Sequence, residues 1–450
     1  MRGIVPTLGL SMIVRNEAHT LHSCLESVAG VVSQIVIADT GSTDNTTEIA
    51  LEFGATVIPV PWENHFANAR NAALEAMQTD WVLVLDADEE LDRRGQIRIP
   101  KLIAQEGVGG HLIPIRNYVP TITGRGWDRA TQPNDHRHPR AAQAPAFFVH
   151  ENCRLFRRDP GIYFVGRVHE LVEPRICALG LKLPLADFCI HHFGQLNQEE
   201  SRSNKAAAYL DLLRLKVQEL PDDAMAWLQL GLQEYECSRK SKEPFRCFER
   251  ALALEPRAIP AWLFKGMLHL DVGNYLDALA ALEFARSDGN SQALCEHLRG
   301  DALHNLGRLQ EARVAYAKAV QLTRCDPVLN SKLGYTEVRL GQVKAGISKL
   351  KQAANSAPET AEIRDRLMKA CIVVNNLEEA ARQAEELASL EKTPKAYLRA
   401  ASIRVEMKAP DMAIEILDRA TKLFPDAIEL RRALAELVGQ STETGASAMH

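Results

Sequence analysis

The sequence predicts an α/β domain with a mostly parallel sheet, followed by an all-α superhelix of repeated helix pairs. Short β-branched runs alternate with amphipathic segments over the first two hundred residues. The β signal disappears near residue 197, and glycines recur at regular steps after it. With 450 residues the chain is long enough for two or three compact units, each with its own core.

Four apolar runs are expected to form neighbouring strands of one sheet: "LSMIVRN", "QIVIADTGS", "TVIPVPW" and "DWVLVLDADE". The segments between them have helical spacing: "AHTLHSCLESVAG", "NTTEIALEFGA" and "NHFANARNAALEAMQ". This alternation is typical of βαβ units, and functional residues of such sheets gather at the carboxyl ends of the strands. Asp39 and the triplet Asp86-Ala87-Asp88 end two of these strands.

The second half of the chain repeats itself. Gly231, Gly266, Gly300 and Gly334 follow one another at steps of 35, 34 and 34 residues. This period and the Trp-Leu-x-x-Gly opening resemble the tetratricopeptide repeat, a helix pair that stacks into a superhelix. We therefore predict a first domain at 1–196, a connecting helix at 197–222, about six repeats at 223–438 and a disordered tail at 439–450.

Composition excludes several classes of protein. The apolar fraction of 46%, the charged fraction of 25% and the net charge of -5 give no global field that would attract nucleic acid. Nine cysteines without a Cys-x-x-Cys pair indicate reduced thiols rather than disulfides or a zinc site. No segment reads as a signal peptide or a membrane span. We expect a cytoplasmic protein with at most peripheral membrane contact.

Three strand-end or helix positions suggest chemistry. A helix cap would explain Ser42, but Asp39 precedes the turn, where it could accept a hydrogen bond from a nucleotide base or ribose. Arg70 lies on a packed helix and is either solvated or paired with a carboxylate or diphosphate. Asp86 and Asp88 offer the hard oxygen ligands that Mg²⁺ or Mn²⁺ prefers, although an Asp-x-Asp triplet alone is a weak signal.

Three stretches together resemble family 2 glycosyltransferases of the GT-A fold: "LSMIVRNEAHTLHSCLESV", "IVIADTGSTDNTTEIALEFGA" and "WENHFANARNAALEAMQTDWVLVLDADEEL". The resemblance spans roughly residues 8–196. It is greatest to the bacterial branch that contains lipopolysaccharide-core glucosyltransferases and sublancin-type peptide S-glycosyltransferases. A GT-A domain followed by tetratricopeptide-like helices is also found in that branch.

The resemblance implies a nucleotide-sugar donor, a UDP-sugar, and a divalent cation, Mn²⁺ or Mg²⁺. It implies that Asp88 is the direct metal ligand. The residues expected at the nucleotide-sugar are Asn16, Glu17, Asp39, Arg70 and Asp86.

The segment from 110 to 196 is rich in histidine, and an imidazole near the end of a GT-A domain often completes the metal site. His191 or His192 is the candidate ligand. Inverting transfer needs a base that deprotonates the acceptor, and Glu170 is the first choice for it. Asp128 and Asp135 are the runners-up, in a Gly- and Pro-containing charged loop of the kind that forms lids.

We therefore expect a metal-dependent inverting glycosyltransferase whose repeats hold a protein or peptide acceptor along a concave surface. The repeats could instead form a homodimer or dock the enzyme in a complex. Two other functions stay open. One is transfer to a lipopolysaccharide-core or lipid-linked sugar, and the other is a non-catalytic repeat scaffold with a degenerate transferase domain.

Overall fold

The computed structural model describes residues 6–120, 131–196, 200–238, 241–286, 291–323 and 326–447. Contacts divide the chain into two compact units, residues 1–256 and 257–450. We describe each unit by itself. Within the described residues, no helix combines the length and the apolar character that crossing a membrane requires.

The first unit is built on one sheet. Its strands are β1 (Leu8–Val14), β2 (Gln34–Asp39), β3 (Thr56–Pro59), β4 (Trp81–Val84), β5 (Glu89–Leu91), β6 (Gly110–Val119), β7 (Gln132–Pro133), β8 (Ala146–Arg157) and β9 (Ile190–His192). Its α-helices are α1 (Ala18–Ser27), α2 (Thr46–Glu52), α3 (Phe66–Glu75), α4 (Arg93–Leu102), α5 (Glu173–Ala178), α6 (Glu200–Glu219), α7 (Ala224–Cys237) and α8 (Glu243–Leu254). A short 3₁₀ turn covers Pro139–Ala141.

The strand order is β3-β2-β1-β4-β8-β6-β9-β5, and β7 pairs with β8 off this path. The predicted parallel sheet is confirmed for β1 to β4, which helical crossovers connect. The other half is mixed, because β8 runs antiparallel to both β4 and β6, while β9 is parallel to β6 and antiparallel to β5. This mixed half was not apparent from the alternating pattern of the first strands.

Two apolar cores lie on the two faces of the sheet, as the period of two along each strand requires. Leu83 of β4 belongs to the cluster that contains Leu21 and Leu25 of α1. Its neighbour Val84 belongs to the cluster that contains Ala67 and Ala73 of α3. Burial of both faces explains why these strands are continuous apolar runs.

The second unit is all helical: α9 (Ile259–Asp271), α10 (Tyr275–Ala285), α11 (Gln292–Asn305), α12 (Leu309–Leu322), α13 (Pro327–Arg339), α14 (Val343–Ser356), α15 (Ala361–Val373), α16 (Leu377–Glu391), α17 (Pro394–Glu406), α18 (Pro410–Leu423) and α19 (Ile428–Ser447). Successive helices pack as pairs, and α7 with α8 forms a similar pair inside the first unit. The helix α19 continues to Ser447, whereas the sequence predicts disorder from residue 439. Its first half is anchored by the buried Leu430.

The repeated glycines mark the contact within each pair. A Cβ on Gly300 would lie 2.5 Å from the ring of Tyr316, and a Cβ on Gly334 would lie 2.8 Å from the carbonyl oxygen of Gly346. Since such separations are shorter than a van der Waals contact, the two helices of a pair approach closely only because glycine stands there.

Candidate functional site

The loops after β1 and β2 are joined by hydrogen bonds around Asp39, the last residue of β2. The carboxylate of Asp39 accepts bonds from the Ser42 hydroxyl at 2.5 Å and the Ser42 amide at 3.1 Å. The Ser42 hydroxyl in turn accepts from the Asn16 amide at 3.0 Å. The Asn16 side-chain oxygen accepts from the Thr43 amide at 2.7 Å. The Glu17 amide donates to the hydroxyl of Thr46, the first residue of α2, at 2.8 Å. Asn16, Glu17 and Asp39, three of the predicted nucleotide-site residues, therefore lie along one hydrogen-bonded rim.

The backbone of Asn16 has a φ of 56°, in the left-handed region. Asparagine adopts this region more readily than most residues with a side chain. It therefore turns the chain sharply between β1 and α1 and directs its amide toward the loop after β2.

Arg70, on α3, joins two carboxylates from different parts of the sequence. Its Nη2 lies 2.7 Å from Oδ1 of Asp86, just after β4, and its Nε lies 2.5 Å from Oε1 of Glu170. The side chains of Arg70 and Glu170 are only 8% and 11% exposed, so little water screens the pair. The remaining nitrogen, Nη1, is buried and makes no hydrogen bond among the described residues.

A second arginine extends this cluster. The Nη2 of Arg154, on β8, lies 3.1 Å from Oδ2 of Asp86 and 2.9 Å from Oε1 of Glu89. Burial opposes the charge on Asp86, but Arg154 and Arg70 hold its pKa well below its usual range. Burial, with the charge of Asp86, raises the pKa of Glu89 to about 7 despite the opposing charge of Arg154. Asp86 is therefore held ionised, whereas the raised pKa places the titration of Glu89 near neutral pH.

Asp88 and His192 lie side by side, with Oδ2 3.3 Å from Nε2. The other ring nitrogen, Nδ1, lies 2.7 Å from Oδ1 of Asn117, which fixes the orientation of the imidazole. Burial opposes the charge on His192, but Asp88 and the neighbouring carboxylates raise its pKa to about 9. Both side chains remain about one quarter exposed, at 27% for Asp88 and 26% for His192.

Gly194 leaves the space beside these two groups open. A Cβ at this position would lie 2.5 Å from Oδ2 of Asp88 and 2.7 Å from Nε2 of His192. The close approach requires glycine here, and a larger residue would fill the volume into which the carboxylate and the imidazole point.

His191 faces away from this site, because successive residues of a strand lie on opposite sides of the sheet. Its Nδ1 lies 2.8 Å from the hydroxyl of Tyr118, and its Nε2 lies 3.8 Å from Sγ of Cys189. Burial, with the nearby His138, lowers the pKa of His191 to about 4. The structure thus brings His192, and not His191, to Asp88.

Of the two runner-up acids, the structure describes only Asp135, and it makes a different ion pair. Asp135 forms an ion pair with Arg116, with Nη1 2.9 Å from Oδ2. Asp128 lies outside the residues that the structure describes. Glu90, on β5, contacts Nε2 of His138 at 3.1 Å and also binds Arg140.

Sequence reasoning missed Arg154 and Asn117, which hold Asp86 and His192 in place. Both lie on the long antiparallel pair of β6 and β8. The only signal for Arg154 in the sequence is a charged residue within the apolar run "CRLF", and many arginines in strands show the same pattern.

Residues 10–161 match the family described as Glycosyl transferase family 2. Residues 266–337 match a tetratricopeptide repeat-like domain, and residues 394–426 match a tetratricopeptide repeat. These matches fall on the sheet of the first unit and on the helix pairs of the second.

Three curated relatives show the range of similarity. A TPR repeat-containing protein from Synechococcus elongatus is 30% identical over 313 residues, which cover 67% of this chain and 68% of the relative. The SPbeta prophage-derived glycosyltransferase SunS of Bacillus subtilis is 23% identical over 63% of each chain. The lipopolysaccharide core biosynthesis glycosyltransferase LpsC of Rhizobium meliloti is 31% identical over 38% of this chain and 59% of the relative. The chain thus spans about three fifths of the length of the last two relatives.

Proposed function

This chain belongs to the family 2 glycosyltransferases that carry C-terminal tetratricopeptide repeats, and we propose that it moves a sugar from a UDP-sugar to a protein or peptide acceptor. The observation that carries the proposal is the convergence of Asp39, Asp86 and Asp88 at the carboxyl ends of the parallel strands. Arginines hold one of these aspartates and an imidazole faces another. In open α/β sheets this edge is where ligands bind.

The nucleotide is proposed to lie along the rim formed by Asn16, Glu17 and Asp39. Asp39 keeps its carboxylate oriented through Ser42, so that it can accept a hydrogen bond from the base. Asp86 is proposed to contact the ribose, and the two arginines keep it ionised for that contact. The Nη1 of Arg70, which has no hydrogen-bond partner among the described residues, is proposed to donate to an oxygen of the substrate.

The residues beside Gly194 fit a divalent cation. Asp88 supplies a carboxylate oxygen and His192 an imidazole nitrogen, and both side chains are partly exposed, so water and a phosphate oxygen can reach an ion bound there. The bond to Asn117 holds the ring of His192 as outer partners of metal-binding histidines commonly do. We propose that these two residues hold Mn²⁺ or Mg²⁺, which when bound offsets the negative charge that grows on the departing diphosphate.

Glu170 is the proposed base. One of its oxygens accepts from Arg70, and the other remains to take the proton of the acceptor group. As that proton moves to the carboxylate, the acceptor atom bonds to the anomeric carbon and the bond from this carbon to the diphosphate breaks. The nucleoside diphosphate leaves with the electron pair, and the configuration at the anomeric carbon inverts.

The acceptor is proposed to be a protein or peptide, because helix pairs of this type stack into long concave surfaces that suit an extended chain. Use of the same helices for a homodimer stays a prediction. A cytoplasmic site of action stays part of the proposal, because nine cysteines without a close pair are expected to remain reduced. The name of LpsC favours a second candidate acceptor, a lipopolysaccharide-core sugar.

The proposal is tested by incubating the full chain with a panel of UDP- and GDP-sugars, with and without Mn²⁺, and measuring release of the nucleoside diphosphate. We expect metal-dependent release from a UDP-sugar, and loss of this release in Asp88→Asn. The control is Asp187→Asn, since Asp187 pairs with Arg94 and Arg98 on the exposed surface. Absence of release from every donor, or full activity of Asp88→Asn, contradicts the proposal. Adding peptide and glycolipid extracts to the active mixture distinguishes the two acceptors.

A further inference from the structure

A second group of potential ligands lies on the other side of β9 from Asp88 and His192. One ligand atom from each of Asp92, Cys189 and His191 lies within 4.8 Å of the other two. The Sγ of Cys189 is 3.9 Å from Oδ2 of Asp92 and 3.8 Å from Nε2 of His191. We propose that these three side chains bind a Zn²⁺ ion, at a site distinct from the proposed donor site.

The pairing of β5 with β9 assembles the group. Leu91 is opposite Ile190, and the amide of Asp92 donates to the carbonyl of Cys189 at 3.1 Å. Cys189 and His191 are two residues apart in extended chain, so their side chains lie on the same face. The arrangement therefore follows from the ladder and not from a flexible loop.

Two of the ligands are held by further bonds. The Oδ1 of Asp92 caps α4 by accepting from the amide of Arg94 at 3.2 Å, which leaves Oδ2 facing Cys189. The Nδ1 of His191 lies 2.8 Å from the hydroxyl of Tyr118, and the imidazole is only 4% exposed. Outer partners of this kind fix the ring of a metal-binding histidine and leave its other nitrogen for the ion.

The chemistry of the three groups favours zinc. A thiolate, an imidazole and a carboxylate form a softer set than a carboxylate and an imidazole alone, and zinc sites with three protein ligands keep water in the fourth position. Binding would release the thiol proton of Cys189 to solvent. The resulting thiolate and the Asp92 carboxylate would then balance the two charges of the ion. The nearby positive charge of Arg116 is neutralised by Asp135 at 2.9 Å.

The absence of close cysteine pairs in the sequence predicts no zinc site. Spacing of this kind identifies only sites with two or more cysteines, whereas this group has one, and Asp92 and Cys189 are separated by 97 positions. A bound ion would join the start of α4 to His191 of β9. The residue after His191, His192, faces the proposed nucleotide-sugar site. Its expected role is therefore structural.

Cobalt is the probe that tests the proposal, because Co²⁺ bound to a thiolate gives a charge-transfer absorption that Co²⁺ on oxygen and nitrogen ligands lacks. The full chain is stripped with a chelator and titrated with Co²⁺, and then with Zn²⁺. We expect the band to saturate at about one equivalent, as a single tetrahedral site requires, and to disappear when Zn²⁺ displaces the cobalt. Wild-type protein without this band overturns the proposal.

Variants assign the band to this site. Cys189→Ala should abolish it, whereas the control Cys177→Ala, at an exposed cysteine, should keep it. His192→Ala should also keep the band while losing metal-dependent release of nucleoside diphosphate, so failure of either proposal is distinguishable from failure of the other. A band that survives Cys189→Ala contradicts the assignment.

Discussion

The Nη2 of Arg70 lies 2.7 Å from Oδ1 of Asp86, in an ion pair that connects the middle of α3 to the loop after β4, with the Arg70 side chain 8% and the Asp86 side chain 37% exposed. The same guanidinium binds Glu170. Replacing Arg70 by Met removes the only ion-pair partner that the Glu170 carboxylate has among the described residues. Loss of one partner of a buried pair typically costs 3–5 kcal/mol, and we expect a destabilisation of about 3 kcal/mol in urea denaturation.

Arg94→Met is the matched control for this prediction. Arg94 pairs with Asp187, but the two side chains are 61% and 40% exposed, so its loss should cost less than about 1 kcal/mol. Equal midpoints for the two variants would show that the Arg70 cluster stabilises the fold no more than the exposed Arg94–Asp187 pair does.

Glu170→Gln tests the proposed base. The amide oxygen of Gln can still accept from Arg70, so the fold and the affinity for UDP should be retained. The amide cannot take the acceptor's proton, and we expect transfer to fall by about 10²- to 10⁴-fold. Single-turnover transfer and UDP binding, measured on the same preparation, check this. Glu75→Gln, at an exposed position on α3, should change neither, and unchanged transfer in Glu170→Gln assigns the base to another residue.

Asn117 is predicted to position His192 for metal binding. Its side chain is only 3% exposed and holds His192 through Oδ1 and His150 through Nδ2. Asn117→Ala should weaken Mn²⁺ affinity by about 10- to 100-fold, as loss of an outer partner commonly does. Asn117→Asp keeps an acceptor oxygen toward Nδ1 and should restore much of the affinity. Free Mn²⁺ counted by electron paramagnetic resonance gives both values, and equal affinity of wild type and Asn117→Ala refutes the role.

Protonation of His169 is predicted to lower the stability of the fold in acid. Burial, with the charge of Lys216, lowers its pKa to about 4, whereas an unfolded histidine titrates near 6.5. The folded state therefore favours the neutral ring, and this contribution is present above pH 6.5 and lost as the pH falls toward 4. The difference between the folded and unfolded pKa values corresponds to at most about 3 kcal/mol of unfolding free energy.

His169→Asn is the variant that isolates this term, because His169 has a φ of 54° and asparagine tolerates that conformation. The variant should lose less stability than wild type between pH 7 and pH 4 in urea denaturation. His19→Asn, at an exposed histidine, should follow the wild-type curve. If the unfolding free energies of wild type and His169→Asn fall in parallel as the pH is lowered, titration of His169 is excluded as a cause of the acid destabilisation.

The sequence predicts those site residues that lie at the carboxyl ends of parallel strands. Asp39 and Asp86 could be placed because an apolar run followed by polar turn residues identifies the end of a buried strand. The recurrence of glycine predicts the helix pairs for a similar reason, since Gly300 and Gly334 allow the close contacts within a pair.

The positions of the other site residues depend on pairing between strands that are distant in sequence. Arg154 reaches Asp86 because β8 lies antiparallel to β4, with Leu83 opposite Leu155, and nothing in the local sequence specifies this register. Likewise, the choice between His191 and His192 depends on which face of β9 is turned toward Asp88. That face is set by pairing with β5, where Glu89 is opposite His192.

The proposed function requires above all that a metal and a nucleotide bind together at Asp88 and His192. Titration calorimetry of UDP into the full chain, with and without Mn²⁺, measures this directly. We predict that UDP binds in the presence of Mn²⁺, that binding weakens greatly without it, and that Asp88→Asn abolishes the difference. Equal affinity of wild type with and without Mn²⁺, or an unchanged metal dependence in Asp88→Asn, would contradict the proposed function.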